Sequence, residues 1–160
     1  MGPTYRNSQI DVTLDGPEWL VLETAVANRA PAETLSWFTD ATRLNQWWGE
    51  EALIEPRPGG LYEVHWPSMD WTMRGVVALC TGDTLIYSWS WDHEPDQPAR
   101  TVAIHAESSE SGSTLTITHG PYRPESTLLT GEDDARHSHR DGWLFFLAKL
   151  HETMGTTPVG

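Results

Sequence analysis

Hydrophobic and polar residues alternate along several stretches of the chain, and this pattern predicts β-strands with one packed face. In the segment 84–91, Leu85, Tyr87 and Trp89 fall on one face, while Ile86 and Ser88 fall on the other. An antiparallel sheet with one buried and one solvated face produces such alternation. The same rule places on the buried face Tyr62, Val64, Trp66, Trp71, Met73, Gly75, Val77, Leu79, Leu85, Tyr87, Trp89, Trp91, Leu115, Ile117 and His119.

Turn signals divide the chain into seven predicted strands. The turn segments are rich in Gly, Pro, Asp and Ser, each of which favours a turn for its own backbone reason. Residues 1–18 are polar and turn-rich, and they predict either a loosely attached arm or a short edge strand. The seven predicted strands cover residues 19–27, 50–56, 60–66, 71–80, 84–91, 100–107 and 113–119.

Helical spacing appears in three other segments. Pro31 suits the first turn of a short helix after the first strand, and Asp40 can cap a second short helix that Gly49 closes. From about Gly131 to Met154 the pattern predicts one long helix. Its apolar stripe contains His139, Trp143, Phe146, Leu147, Leu150 and Met154. The order of elements predicts an α+β fold, with a long C-terminal helix covering a sheet.

Length and charge limit the possible functions. The 160 residues suit an N-terminal arm (1–18), one domain (19–154) and a short tail (155–160). The formal net charge of -13 repels phosphate backbones and anionic lipids, so neither nucleic acid nor a membrane is a predicted partner. No signal peptide and no apolar run of roughly 20 residues is present, which predicts a cytoplasmic protein. The single cysteine, Cys80, lies in an apolar run and is predicted to be a buried, inert thiol.

Aromatic residues are the most unusual feature of the composition. The chain has nine tryptophans, and five of them, Trp66, Trp71, Trp89, Trp91 and Trp143, fall on predicted inner faces. These five tryptophans form either a tryptophan-rich core or the wall of a pocket for a flat or apolar ligand. Such a pocket could also hold a cation against the ring faces. Trp47 and Trp48 stand side by side before Gly49, at the end of a helix-like segment.

Two histidines are the candidate catalytic residues. His119 and His139 both face inward and can meet at one end of a cavity, as structural hydrogen-bonding groups or as a general acid or base. His137 and His139 are two residues apart and lie on different helix faces, and no matching carboxylate cluster is present, so the sequence predicts no metal site. No glycine loop that binds phosphate appears, and no cofactor is predicted. Two loops, 92–102 and 119–137, link predicted elements. Tyr122 and Arg123 in the second loop either reach the polar end of a ligand or, as ordinary loop residues are expected to, face solvent.

Five segments, in this order, resemble one protein superfamily. They are VANRAPAETLSWFTDATRLNQWWG, EPRPGGLYEV, RGVVALCTGDTLIYSWSW, GSTLTITHG and HRDGWLFFLAKL. The chain resembles the SRPBCC (START-like) superfamily, whose helix-grip fold is that of birch-pollen-type allergens. Within it, the chain is most similar to the branch named after activators of the heat-shock-protein-90 ATPase. The resemblance implies a curved antiparallel sheet of about seven strands wrapped around the C-terminal helix, with a cavity between them. It also implies that the loops 92–102 and 119–137 can border the cavity mouth. Trp47 and Trp48 would lie where the short helices close one end of the sheet, and they either plug that end or form part of the mouth.

The resemblance also implies a function for that cavity, because ligands of the superfamily are typically hydrophobic. Three hypotheses follow: binding of a small hydrophobic or aromatic molecule, an enzyme of the polyketide-cyclase or hydrolase kind that uses a cavity histidine, and a chaperone-interaction domain. A homodimer is possible. The predicted ligand-binding residues are Trp47, Trp48, Tyr62, Trp66, Trp71, Met73, Tyr87, Trp89, Trp91, His119, His139 and Trp143.

Overall fold

A computed structural model describes residues 9–123 and 132–157 of the chain. Within these residues, eight antiparallel strands form one curved, open sheet in the order β1-β2-β8-β7-β6-β5-β4-β3. Two short helices follow β2, and a long helix is the last element of the described residues. The strands are β1 (Ile10–Asp15), β2 (Leu20–Ala27), β3 (Glu51–Ile54), β4 (Leu61–Trp66), β5 (Trp71–Cys80), β6 (Thr84–Trp91), β7 (Arg100–Ser109) and β8 (Gly112–Gly120); the helices are α1 (Pro31–Thr39), α2 (Ala41–Leu44) and α3 (Glu132–Gly155).

The predicted α+β class and the helix-grip architecture are confirmed, with one more strand than expected. The additional strand is β1, which pairs with β2 inside the segment predicted as an arm. Ile10 anchors β1 in the core, and the Asp15 carboxylate accepts hydrogen bonds from Arg136 (2.9 Å) and Arg140 (2.8 Å) of α3. The interpretation of this segment as a short edge strand is therefore correct. Residues 1–8 and 158–160 lie outside the described residues.

The two short helices begin as the sequence predicts, but the second is shorter. Pro31 occupies the first turn of α1, and the Asp40 carboxylate caps α2 by accepting from the backbone N–H of Thr42 (2.9 Å). Helix α2 ends at Leu44 instead of continuing toward Gly49. The chain then continues through turns, which bring Trp47 and Trp48 under the sheet.

Alternation predicts the buried face correctly except near the ends of β5 and at the end of β6, where Trp91 is half-buried. The register between β5 and β6 shifts between Val77 and Leu79, which marks a β-bulge. The additional residue turns Leu79 outward, so 39% of it is exposed, although the pattern predicts it to be buried. Cys80 becomes half-buried against the core, and burial raises the pKa of its thiol. Trp71, at the start of β5, is also 39% exposed because it stands at the rim of a cavity described below.

Helix α3 lies against the concave face of the sheet. Trp143, Leu147, Leu150 and Met154 form its buried stripe, as the spacing predicts. Polar contacts fix its C-terminal half: His151 Nε2 lies 2.8 Å from the Thr24 hydroxyl, and Arg29 donates to the backbone carbonyl of Met154 (2.9 Å). Among residues 9–123 and 132–157, no helix combines the length and hydrophobicity that crossing a bilayer requires.

Candidate ligand-binding cavity

A cavity of about 540 Å³ lies between the first half of α3 and the ends of β4, β5 and β6. This volume is within the range of small-molecule sites. Its floor is formed by buried indoles, and its mouth by exposed residues of the segments beside β5 and β6. Six tryptophans line it: Trp48, Trp66, Trp71, Trp89, Trp91 and Trp143.

The adjacent tryptophans after α2 have different positions. The Trp47 indole is buried against Phe38, and its N–H donates to the backbone carbonyl of Trp37 (3.0 Å). Trp48 turns toward the cavity, where its ring stacks on Trp89 (centroids 5.7 Å apart) and on Trp143 (5.4 Å). One tryptophan therefore fills the core, and the other forms part of the cavity floor.

Exposed side chains from three segments surround the mouth. Trp71 and His93 stack there with their centroids 5.0 Å apart and an angle of 18° between their planes. Met69 precedes β5 in a short 3-10 turn, and Glu94 and Gln97 come from the loop after β6. The loop 92–102 thus borders the cavity, as predicted, and Asp134 contributes a second carboxylate from the first turn of α3.

His119 and His139 meet at the inner end of the cavity. Their rings are nearly parallel, with centroids 4.5 Å apart. The indole N–H of Trp143 donates to Nδ1 of His119 (3.0 Å); because an indole nitrogen can only donate, the proton of neutral His119 resides on Nε2. Burial, with smaller contributions from His139 and Arg100, holds the pKa of His119 well below its usual value. His119 is therefore neutral and fully buried, and it lies behind the residues that line the cavity.

His139 lines the cavity and is held by Tyr122. The hydroxyl of Tyr122 lies 2.7 Å from His139 Nδ1, which leaves Nε2 as the ring nitrogen available to a bound molecule. Burial, followed by the charge of Arg100, lowers the pKa of His139 to about 4. Burial also raises the pKa of Tyr122, whose ring lies under the Arg100 guanidinium (4.4 Å). Both partners are therefore uncharged at neutral pH, and the prediction that Tyr122 faces solvent is wrong, since its side chain is fully buried.

The cavity brings together only part of the predicted residue set. Besides the six tryptophans, only His139 of the predicted set borders it, whereas five predicted residues lie behind the wall in the packed core. Among these five, Tyr62 stacks on Tyr87 at 4.0 Å and donates its hydroxyl proton to the carbonyl of Phe38 (2.6 Å). The residues behind the wall are Trp47, Tyr62, Met73, Tyr87 and His119. The role of the whole set in ligand binding stays a prediction.

Sequence reasoning missed several wall residues. On α3 the helical spacing carries a signal that identifies some of them, because four missed residues lie on the same helix face as His139 and Trp143. These four are Ala135, Ser138, Gly142 and Phe146. The loop residues carry no comparable periodicity. The residues missed are Met69, His93, Glu94, Gln97, Asp134, Ala135, Ser138, Gly142 and Phe146. Within the described part of the chain, no three His, Cys, Asp or Glu side chains form a group that could hold a metal ion.

Acidification is expected to destabilise the fold through the histidine pair. Both pKa values are lowered in the folded state, so below the usual value of about 6.5 the unfolded chain binds more protons. Stability is therefore fully present above that pH and is lost as the pH falls toward the folded pKa values. Each histidine contributes a slope of up to about 1.4 kcal/mol per pH unit.

Urea unfolding at a series of pH values between 6.5 and 5 measures this slope. The variant His119→Gln keeps an acceptor for the Trp143 indole but removes one titrating group, so its profile is expected to be less steep. A profile that stays flat over this interval in the unsubstituted protein would contradict the placement of two neutral, buried histidines.

Comparison with known proteins relates this architecture to characterised folds. The model of the family described as "Activator of Hsp90 ATPase homolog 1-like protein" matches residues 29–155. No curated protein matches the chain at a significant level.

Several solved structures share the fold at low sequence identity. MLL2253 from Mesorhizobium loti superimposes with a TM-score of 0.75 at 17% identity, covering 88% of this chain and 99% of its own. The protein SPO3351 from Silicibacter pomeroyi gives 0.69 at 22% identity, over 86% of this chain and 97% of its own. DynU16, a protein in the dynemicin biosynthetic locus, gives 0.68 at 20% identity; the match covers 88% of this chain but 48% of DynU16.

The fold, the order of its elements and the family match agree. The curved sheet, the pair of short helices and the C-terminal helix are those expected of the SRPBCC superfamily. Since the family model extends over most of the sequence, the chain belongs to the family of Activator of Hsp90 ATPase homolog 1-like proteins.

Proposed function

We propose that this protein binds a small apolar or aromatic molecule in the cavity between α3 and the sheet. The supporting observation is a cavity of about 540 Å³ whose wall combines six indole rings with a glycine in the middle of the covering helix. Indole rings supply large apolar faces for a flat ligand, and a few polar groups fix its orientation.

Gly142 supports the proposal because glycine is a costly residue inside a helix. Relative to alanine, it lowers helix stability by about 0.8–1.0 kcal/mol. A Cβ atom at this position would meet no atom within 4 Å, so packing within the described protein does not require glycine. The residue borders the cavity, and the space beside it extends the room available to a ligand.

The inner end of the cavity supplies a polar partner. His139 Nε2 can donate to or accept from a ligand, depending on the tautomer that the Tyr122 hydroxyl selects. Because the pKa of His139 is lowered to about 4, the ring enters this interaction neutral. A carbonyl or hydroxyl group at one end of an aromatic ligand satisfies this geometry.

Two measurements test the proposal. Native mass spectrometry after gentle purification is expected to reveal a small molecule that leaves the chain on activation. Isothermal titration with 2-naphthalenemethanol, a flat probe with one hydroxyl group, is expected to show saturable binding to the emptied protein. A chain without any bound molecule that also fails to bind this probe would contradict the proposed function.

A second candidate function is catalysis at His139, and the Tyr122–His139 contact of 2.7 Å favours it. A neutral histidine held by a buried hydroxyl can take a proton from a substrate hydroxyl or from water. His119 is less suited to this role, because its Nδ1 accepts from Trp143 and its Nε2 is buried.

If His139 is a general base, His139→Gln is expected to lower turnover about 10²–10⁴-fold. The probe is 2-naphthyl acetate, whose hydrolysis releases 2-naphthol. His105→Gln is the matched control, since His105 bonds to Thr84 on the opposite face of the sheet. Equal rates for the His139→Gln variant and the unsubstituted protein would remove the catalytic role of His139 and leave the binding function.

Three other features stay predictions from the sequence. Stimulation of a chaperone ATPase is suggested by the name of the family. Homodimer formation and a cytoplasmic location likewise rest on the sequence and the resemblance. An ATPase assay with the chaperone and a sedimentation experiment test the first two.

A further inference from the structure

From the charge of the cavity mouth and the arrangement of its rings, we infer that the ligand is an organic cation, with a flat apolar body and an ammonium-type group. This inference rests on the proposed function and specifies the chemical class of the ligand. Three independent features of the described residues carry it: carboxylates at the mouth that pair with none of those residues, aromatic rings in several orientations, and a wall without Lys or Arg.

The carboxylates of Glu94 and Asp134 belong to the cavity wall and come from separate elements, the loop after β6 and the first turn of α3. Neither forms a salt bridge or hydrogen bond with another of the described residues. Two negative charges are therefore available at the entrance to a ligand of opposite charge.

The first turn of α3 shows why Asp134 differs from its neighbours. Glu132 is buried against Arg100, whose guanidinium donates to its carboxylate (2.8 Å). Asp133 accepts from Arg136 (2.7 Å) on the same helix. Asp134 alone of these three acidic residues borders the cavity. The three acidic side chains of this turn already offset the partial positive charge at the start of α3, which is equivalent to roughly half an elementary charge.

The aromatic rings present faces in different directions around the cavity. Trp91 meets Trp89 at an interplanar angle of 85° and Trp71 at 62°. Trp66 is tilted at 48° to Trp91. Rings arranged in this way form several walls of a box, and the negative ring faces attract an alkylammonium group, with tryptophan the strongest of the aromatic residues.

Basic side chains are missing from this wall, as far as the described residues show: none of its sixteen members is Lys or Arg. His139 is neutral at physiological pH, since its pKa is lowered to about 4, and it does not repel a cation. The net charge of -13 for the whole chain acts in the same direction at longer range. An anionic ligand would be repelled by the carboxylates at the mouth and by the net negative charge of the chain.

Three probes with the same naphthalene body separate the charge preference from aromatic binding. They are 2-naphthylmethyl-trimethylammonium, neutral 2-naphthalenemethanol and anionic 2-naphthoate, each measured by isothermal titration. The cation is expected to bind at least about tenfold tighter than the alcohol, since cation–π contacts in desolvated sites reach this magnitude. The naphthoate is expected to bind weakest, and the preference for the cation should shrink in high salt because the carboxylates are exposed.

Variants identify the groups responsible for the preference. The double variant Glu94→Gln/Asp134→Asn is expected to remove most of the difference between the cation and the alcohol. Asp96→Asn is the matched control, because Asp96 is an exposed carboxylate of the same loop that does not border the cavity. Its preference for the cation should equal that of the unsubstituted protein.

The outcomes distinguish this inference from the proposed function. If the alcohol binds and the cation binds no tighter, the cation inference fails while aromatic binding stands. A cation preference that persists in the Glu94→Gln/Asp134→Asn variant would also overturn it. If none of the three probes binds, the proposed function and the inference fail together.

Discussion

Replacing Glu132 with glutamine is expected to lower the free energy of unfolding by about 3–5 kcal/mol. The side chains of Glu132 and Arg100 are 4% and 2% exposed, and the guanidinium donates to both carboxylate oxygens (3.2 and 2.8 Å). Glutamine has a similar volume but no charge, so the Arg100 guanidinium would stay buried without a counter-ion. Since domains of this size are commonly stable by only about 5–15 kcal/mol, the loss is large.

Denaturant unfolding of two matched variants measures this effect. Asp92→Asn removes one of two carboxylate partners of Arg74, the other being Glu63. The side chains of Arg74 and Asp92 are both about half exposed, so the loss is expected to be at most about 1 kcal/mol. Equal, small losses for Glu132→Gln and Asp92→Asn would contradict the burial of the Arg100–Glu132 pair. The pair also matters for the cavity, because Arg100 supports the ring of Tyr122, which holds His139.

Replacing Gly142 with leucine is expected to abolish ligand binding without unfolding the protein. A side chain at this position enters the space beside the cavity, where a Cβ meets no atom within 4 Å. Binding of 2-naphthalenemethanol should weaken at least about a hundredfold, which corresponds to about 2.7 kcal/mol. Helix propensity favours leucine over glycine by several tenths of a kcal/mol, so thermal stability should stay equal or rise.

The variant Gly142→Ala provides the control for this experiment. Alanine gives a comparable gain in helix propensity but adds only one methyl group, so most of the cavity stays open. It is expected to be more stable than the unsubstituted protein, by up to about 1 kcal/mol, and to retain binding. A Gly142→Leu variant that binds 2-naphthalenemethanol as the unsubstituted protein does would show that the molecule occupies another place.

The fold could be predicted from the sequence because its strands have one buried and one solvated face. Alternation identified the inward positions of β4, β6 and β8, and the helical stripe identified the buried face of α3. It failed at Leu79, because a β-bulge changes the phase of a strand without leaving a clear mark in the residue pattern. It also left β1 ambiguous, since five of its six residues are exposed.

The cavity was only partly predictable, for a different physical reason. Alternation distinguishes inside from outside, but it does not distinguish a residue that lines a cavity from one that lies behind it. Tyr62 and Trp66 share a face of β4, yet only Trp66 borders the cavity. The positions of Glu94 and Asp134 at the cavity depend on how a loop and a helix end approach each other, which no local pattern encodes.

The indole resonances of the nine tryptophans offer the most direct test of the cavity as a binding site. In ¹H–¹⁵N spectra recorded while 2-naphthalenemethanol is added, the six wall indoles should shift in a saturable manner. Those of Trp19, Trp37 and Trp47, which do not border the cavity, should stay in place. Saturable shifts confined to these three, or no saturable shift at all, would contradict the account.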